Sequence, residues 1–182
     1  VLAAAKRIKR PVRWTASRSE SFMTDAHGRD HVTKIELALD KDNNFLAFRT
    51  ETMANVGAYL SNFSTVTPTI LHGTLMAGNY SVPNVYVNVK TVFTNTAPVD
   101  AYRGAGRPEA TYSLERVIDK AATELNVDPI ALRRKNFIKP DQFPYVTAAG
   151  LNYDVGDYGA IMDRLEYHAD LKGFAKRRKK SL

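Results

Sequence analysis

The sequence predicts an α+β fold in which antiparallel strands form a hairpin flanked by helices. Three observations carry this reading. His31–Leu39 alternates polar and apolar side chains at period two, the pattern of a half-buried strand. Phe45–Val56 follows across the turn-forming Asp40-Lys41-Asp42-Asn43-Asn44 and reads as the return strand. Leu114, Val117, Ile118, Ala121 and Leu125 recur at spacings of three and four, which gives a helix one buried face. With 182 residues, 44% of them hydrophobic and 25% charged, the chain can bury a core and falls outside the disordered class.

The remaining elements follow in chain order. Ala3–Arg10 is rich in strong helix formers and is stopped by Pro11. Val12-Arg13-Trp14-Thr15 reads as a short strand, and the hairpin occupies residues 31–56. Residues 57–67 read as a loop, after which Pro68 starts a helix through Met76 that Gly78 ends. Val85–Thr94 alternates as a third strand, and Asn95–Arg107 is irregular and glycine-bearing. Pro108 then takes a first helical position beside Glu109, whose charge suits the positive end of a helix dipole. Asp128-Pro129 starts another helix by the same cap-plus-proline logic, running to Asn136. Residues 137–156, rich in Pro, Gly, Tyr and Asp, read as a surface loop, and helices at 157–168 and 170–180 follow.

Composition narrows the chemistry. The absence of cysteine excludes disulfides, thiolate zinc sites, iron–sulfur ligation and a cysteine nucleophile in this chain. No run approaches 18 apolar residues, so no membrane-spanning helix is expected. The basic VLAAAKRIKR opening has the reverse order of a secretory signal, and the missing initiator Met points to a piece of a longer chain. The net charge of +7 is uneven. Six basic residues in 1–18 and six in 171–182 stand without an acid, which leaves −5 for the middle. Such ends suit nucleic acid or an anionic surface, or are solvated helix faces. An acidic middle without interleaved aromatics makes a poor groove for a phosphate backbone, so no nucleic acid is expected as partner.

Two constellations bear on chemistry. His27 and His31, with Asp25 and Asp30, carry metal-ligating groups, but a strand entry splays residues four apart. His72 and His168 fall in helical stretches, where ordinary hydrogen bonds are expected of them. The informative segment is Ala101-Tyr102-Arg103-Gly104-Ala105-Gly106-Arg107-Pro108-Glu109. Its glycines admit close approach of the main chain to a ligand, and it opens onto a helix N-terminus whose free N–H groups favour anions. Arg103 and Arg107 are forked donors for phosphate, carboxylate or oxo groups. The segment reads either as a cradle for an oxygen-rich ligand or as a tight turn with two surface arginines.

The run Asn95–Ala110 closely resembles the active-site loop of the large, molybdopterin-binding subunit of the xanthine dehydrogenase/aldehyde oxidase family. It is most similar to the aerobic carbon monoxide dehydrogenase large-subunit branch. Arg10-Pro11-Val12-Arg13-Trp14-Thr15 with Arg18-Ser19-Glu20, and Asp128-Pro129 with Leu132-Arg133-Arg134-Lys135-Asn136, agree with it. The resemblance implies an oxidoreductase that hydroxylates an aldehyde, N-heterocycle or similar carbon centre with oxygen from water. It implies a molybdenum–pyranopterin dinucleotide cofactor, iron–sulfur and FAD subunits as partners, a dimerised assembly, and a cytoplasmic location or association with the inner face of the membrane. Tyr102, Arg103, Gly104 and Ala105 should line the cofactor, and Glu20 either falls near the family's substrate-contacting acid or is a surface helix-cap or strand-edge acid.

Two departures qualify the implied substrate. Gly104 stands where the copper-binding cysteine of CO-oxidising members lies, so CO oxidation is not expected. Ala105 stands where xanthine-oxidising members carry a phenylalanine, which argues against a purine. The family's catalytic glutamate and its upstream glycine–phenylalanine motif have no counterpart here, so the chain is expected to be an internal fragment, inactive alone, with no catalytic residue and no metal ligand of its own. Residues 1–156 would be part of the first molybdopterin-binding domain, and 157–182 a helical segment leading into the next. A basic-ended nucleic-acid or anionic-surface binding module is the alternative.

Overall fold

The computed structural model describes residues 1–181. The expected hairpin is its frame. β1 (His31–Leu39) and β2 (Phe45–Gly57) pair antiparallel, with His31 opposite Ala54 and Leu37 opposite Phe48. Asp40 closes the turn by accepting from the N–H groups of Asp42 and Asn44 at 2.9 and 2.8 Å. The third strand, β3 (Asn84–Phe93), departs from the antiparallel expectation. It joins β2 in parallel, Phe48 opposite Val85 and Thr52 opposite Val89, in the order β1-β2-β3. A parallel neighbour requires a crossover rather than a tight turn, and residues 58–83 provide it. Within the crossover a π-helix, Thr67–Leu71, replaces the α-helix expected from Pro68, and helical backbone ends at Gly73 rather than Met76.

α3 (Arg107–Leu125) and α4 (Pro129–Asn136) form where their prolines predict. Leu114 and Ile118 of α3 and Leu132 of α4 are buried with Phe45 and Phe48 of β2, and Tyr80 and Phe137 fill the space between them. Leu125 belongs to the expected apolar stripe but is exposed, because it extends the flanking row of Val117 and Ala121 past the end of the core. Asn136 ties α4 to the hairpin. Its carbonyl oxygen accepts from Phe45 N–H at 2.8 Å, and its amide donates to Leu132 and Asn43 carbonyls at 2.9 and 3.0 Å.

The N-terminal segment corrects one expectation. α1 (Leu2–Ile8) ends before Pro11, but Val12–Thr15 forms no strand, since no neighbouring strand reaches it. A helix follows instead, α2 (Arg18–Thr24), opened by a reciprocal cap: Glu20 N–H donates to the Ser17 hydroxyl at 3.2 Å, and Ser17 N–H to the Glu20 carboxylate at 2.7 Å. The stretch read as surface loop at 137–156 is partly interior: Phe137, Ile138 and Thr147 are buried, and β4 (Tyr145–Val146) pairs with β5 (Asn152–Tyr153). α5 (Tyr158–His168) packs Tyr158 and Met162 on the core, while Arg134 pairs with its Asp163 and Glu166. α6 (Phe174–Ser181) buries none of its residues. Among the described residues no helix is long and apolar enough to cross a membrane.

Candidate functional site

The site is assembled where the chain leaves β3. Ahead of the loop, His27 N–H donates to the Pro98 carbonyl at 2.8 Å and Asp100 N–H to the His27 carbonyl at 2.7 Å, so residues 98–100 run beside the entry to β1. The Asp100 carboxylate accepts from Phe63 N–H, Ala101 N–H and the Ser61 hydroxyl. Burial pushes its pKa up, but these donors outweigh burial and hold the carboxyl below its usual range. Asp100 is therefore a charged anchor for the start of the loop.

Tyr102–Gly106 is a tight double turn. Ala105 N–H donates to the Tyr102 carbonyl at 2.8 Å, Arg107 N–H to the Gly104 carbonyl at 3.0 Å, and Ala110 N–H to the Gly106 carbonyl at 3.0 Å. The N–H groups of Arg103, Gly104 and Gly106 keep no protein acceptor among the described residues. Gly104, Ala105 and Gly106 take φ of 99°, 39° and 88°. At Gly106 a Cβ would lie 2.7 Å from His72 N and the Leu71 carbonyl carbon and 2.8 Å from the Thr67 carbonyl oxygen, so the turn rests directly on the crossover helix. At Gly104 a Cβ would meet the Pro108 ring at 2.8 Å.

Arg29 pins the loop from the side. It holds a left-handed backbone (φ 62°), donates from its guanidinium to the Arg103 carbonyl, and lies 4.6 Å from the Tyr102 ring centroid. Nothing local in the sequence marks Arg29, because its partner is 74 residues away. The Tyr102 side chain is 64% exposed, and Arg103 is exposed beside it.

Below the turn, His31 and His72 meet edge to face with ring centroids 5.3 Å apart. Burial, reinforced by the neighbouring His31, pushes His72 down to about 4. The Gly106 backbone opposes that shift, although no hydrogen bond of normal geometry joins it to the ring. Burial lowers His31 too, with Glu109 and Asp30 opposing. Both His72 ring nitrogens are buried without a protein partner of normal geometry among the described residues. His31 and Glu109 also line a cleft of about 560 Å³ between β1 and α3, with Arg29, Pro108, Tyr112 and Arg116.

The structure thus brings Tyr102, Arg103, Gly104 and Ala105 into one turn. Glu20 stands apart on α2, where one carboxylate oxygen serves the cap; the Ser17 N–H and hydroxyl hold its pKa below the usual range. The histidine–aspartate cluster disperses. The His27 ring lies 3.1 Å from the Phe22 carbonyl, Asp30 accepts from Asn55, and among the described residues no group of side chains is placed to hold a metal ion.

Residues 1–137 match the family model of the molybdopterin cofactor-binding domain. The chain is 37% identical to the carbon monoxide dehydrogenase large chain of Hydrogenophaga pseudoflava, over 89% of its own length and 21% of that protein. It is 33% identical to subunit gamma of the 6-hydroxypseudooxynicotine dehydrogenase complex of Paenarthrobacter nicotinovorans, over 85% and 20%. It superposes on quinoline 2-oxidoreductase from Pseudomonas putida 86 with a TM-score of 0.91 at 29% identity, covering 98% of this chain and 23% of that one. The chain spans about one fifth of the length of the relatives it matches. With the family model reaching from α1 through α4 and the same fold recurring in a solved relative, the chain belongs to the molybdopterin cofactor-binding domain family.

Proposed function

We propose that this chain is the part of a molybdenum hydroxylase large subunit that supplies the loop beside the metal-bearing end of the cofactor. The observation that carries the reading is the Tyr102–Gly106 turn, seated on the crossover backbone and pinned by Arg29, with main-chain donors and Arg103 left for a ligand. These residues fit an oxygen-rich group. The space a side chain would take at positions 104 and 106 is filled by the Pro108 ring and by crossover backbone, so both glycines let the turn seat closely on the protein and hold its shape. The N–H groups of Arg103, Gly104 and Gly106 would hold the ligand, and the Arg103 guanidinium supplies a forked donor to developing charge on oxygen.

When bound, the molybdenum–pyranopterin dinucleotide would supply the two-electron redox centre. The chain's own part is to bind and orient. Arg29 fixes the Arg103 carbonyl and the Tyr102 ring, so the loop meets its ligand already shaped. Glu20 keeps its second carboxylate oxygen for a substrate-adjacent role. Gly104 offers no thiolate to a soft copper ion, so the reaction assigned to the full-length enzyme is hydroxylation of an aldehyde or N-heterocycle and not CO oxidation. The quinoline- and nicotine-derived names of two relatives support that substrate class. Iron–sulfur and FAD subunits in a dimerised cytoplasmic complex would carry the electrons away, and residues 157–182 would lead toward the next domain of the large subunit.

The test is the full-length enzyme with Arg103→Ala, assayed against aldehydes and N-heterocycles with molybdenum content measured alongside. Turnover is expected to fall by roughly two to three orders of magnitude at unchanged metal loading, a loss of about 3–4 kcal/mol for one preorganised donor. Full activity at full loading would overturn the placement of the loop, and a full-length protein without molybdenum or pterin would overturn the function.

A further inference from the structure

We propose that Thr67, His72, His31 and Glu109 enclose a bound-water site that seats the Tyr102–Gly106 turn. Five polar atoms here are buried and unpartnered among the described residues: Thr67 Oγ1, both His72 ring nitrogens, His31 Nδ1 and Glu109 Oε2. They are not scattered over the molecule. The two imidazoles touch edge to face, the Thr67 and His72 backbones both lie against Gly106, and Glu109 stands in the first turn of the helix that Gly106 opens. His31 and Glu109 also face the same cleft. Folded proteins pair nearly all their buried polar groups, with protein or with ordered water. Five orphans at one junction therefore call for a ligand.

The chemistry of the set selects that ligand. A neutral imidazole offers one donor and one acceptor, the threonine hydroxyl offers both, and the carboxylate only accepts. An anion would be repelled by Glu109. A metal cation is excluded by geometry, since no group of side chains among the described residues is placed to hold one. Water, which donates twice and accepts twice, satisfies the mixed set. Bridging waters would tie the crossover through Thr67 and His72, β1 through His31, and α3 through Glu109, at the one place where all three meet beneath the turn. The site exists without any cofactor; only its service to a cofactor rests on the function proposed above.

Two measurements on the 182-residue chain test it. A high-resolution crystal structure is expected to show ordered water at about 2.7–3.2 Å from a His72 ring nitrogen and from at least one of the other three side chains. The same side chains hydrogen-bonded to one another with no water between them would overturn the proposal. Thr67→Val keeps the shape and deletes the hydroxyl. In a dry pocket this removes an unpaired group and raises stability; in a hydrated one it strands the water, and the unfolding equilibrium constant rises about fivefold. Amide exchange at Ala105 and Arg107, whose N–H groups close the turn, should then accelerate by more than that global factor. Raised stability, or exchange at the turn no faster than the global change explains, would refute the seating role. Absence of molybdenum from the full-length protein would sink the proposed function and leave this water site standing.

Discussion

Replacing Gly106 by alanine measures how tightly the turn is seated. The backbone there holds φ 88°, where an L-residue costs about 1–2 kcal/mol. The new methyl would also lie 2.7 Å from His72 N and the Leu71 carbonyl carbon, and 2.8 Å from the Thr67 carbonyl oxygen. All three are main-chain atoms that cannot rotate away, so overpacking adds about 1–3 kcal/mol. The smaller entropy of the unfolded alanine chain returns less than about 1 kcal/mol. The net expectation is a loss of about 3 kcal/mol. Gly150→Ala isolates the strain, because Gly150 has nearly the same φ of 87° with nothing within 4 Å of its missing Cβ. That variant should lose about 1 kcal/mol or less. Urea unfolding followed by far-UV circular dichroism gives both numbers on one scale. If the two variants agree within about 0.5 kcal/mol, the contact of the turn with the crossover helix contributes nothing and the reasoning fails.

Acid should weaken the fold through His72. Its pKa falls from 6.5 to about 4 on folding, so the unfolded chain takes the proton first; stability present above pH 6.5 is lost as pH falls toward 4 and then levels, by about 3 kcal/mol in all. His31 adds in the same direction, with Glu109 and Asp30 opposing. Urea unfolding between pH 7 and 4 checks this, and His72→Gln should remove most of the slope; a slope unchanged in that variant refutes it. The cap of α2 gives a smaller effect: Ser17→Ala should cost about 1 kcal/mol. Glu20→Gln preserves an acceptor for the cap, so stability should hold within about 0.5 kcal/mol while the full-length enzyme binds its substrate more weakly and KM rises; an unchanged KM would remove Glu20 from the substrate side.

What could be read from the sequence was local. The hairpin, α3 and α4 announce themselves through period-two alternation, turn residues, and proline after a cap, each within a few residues. The Tyr102–Gly106 turn was legible for the same reason, since its glycines and arginines are contiguous. α2 was also within reach, because Ser17-Arg18-Ser19-Glu20 is a capping-box pattern, but its apolar content is too small to show periodicity. The parallel pairing of β3 was not legible: alternation states that a strand has two faces, not which way its neighbour runs. Arg29 and the His31–His72 contact arise from segments tens of residues apart, joined only when the sheet and crossover close.

The crossover has a kinetic meaning as well. The hairpin closes across residues 40–44 and can form within microseconds. β3 cannot join until residues 58–83 have been looped back, a step with a larger closure entropy and the slowness of parallel pairing. Thr67–His72 lies within that loop-back and Gly106 lies beyond β3, so seat and turn meet only once the last long-range contacts are made. A half-folded chain therefore possesses the sheet's first two strands and no site. A ligand that recognises the seated turn discriminates between finished and unfinished molecules, and by binding only the former it draws the folding equilibrium to completion.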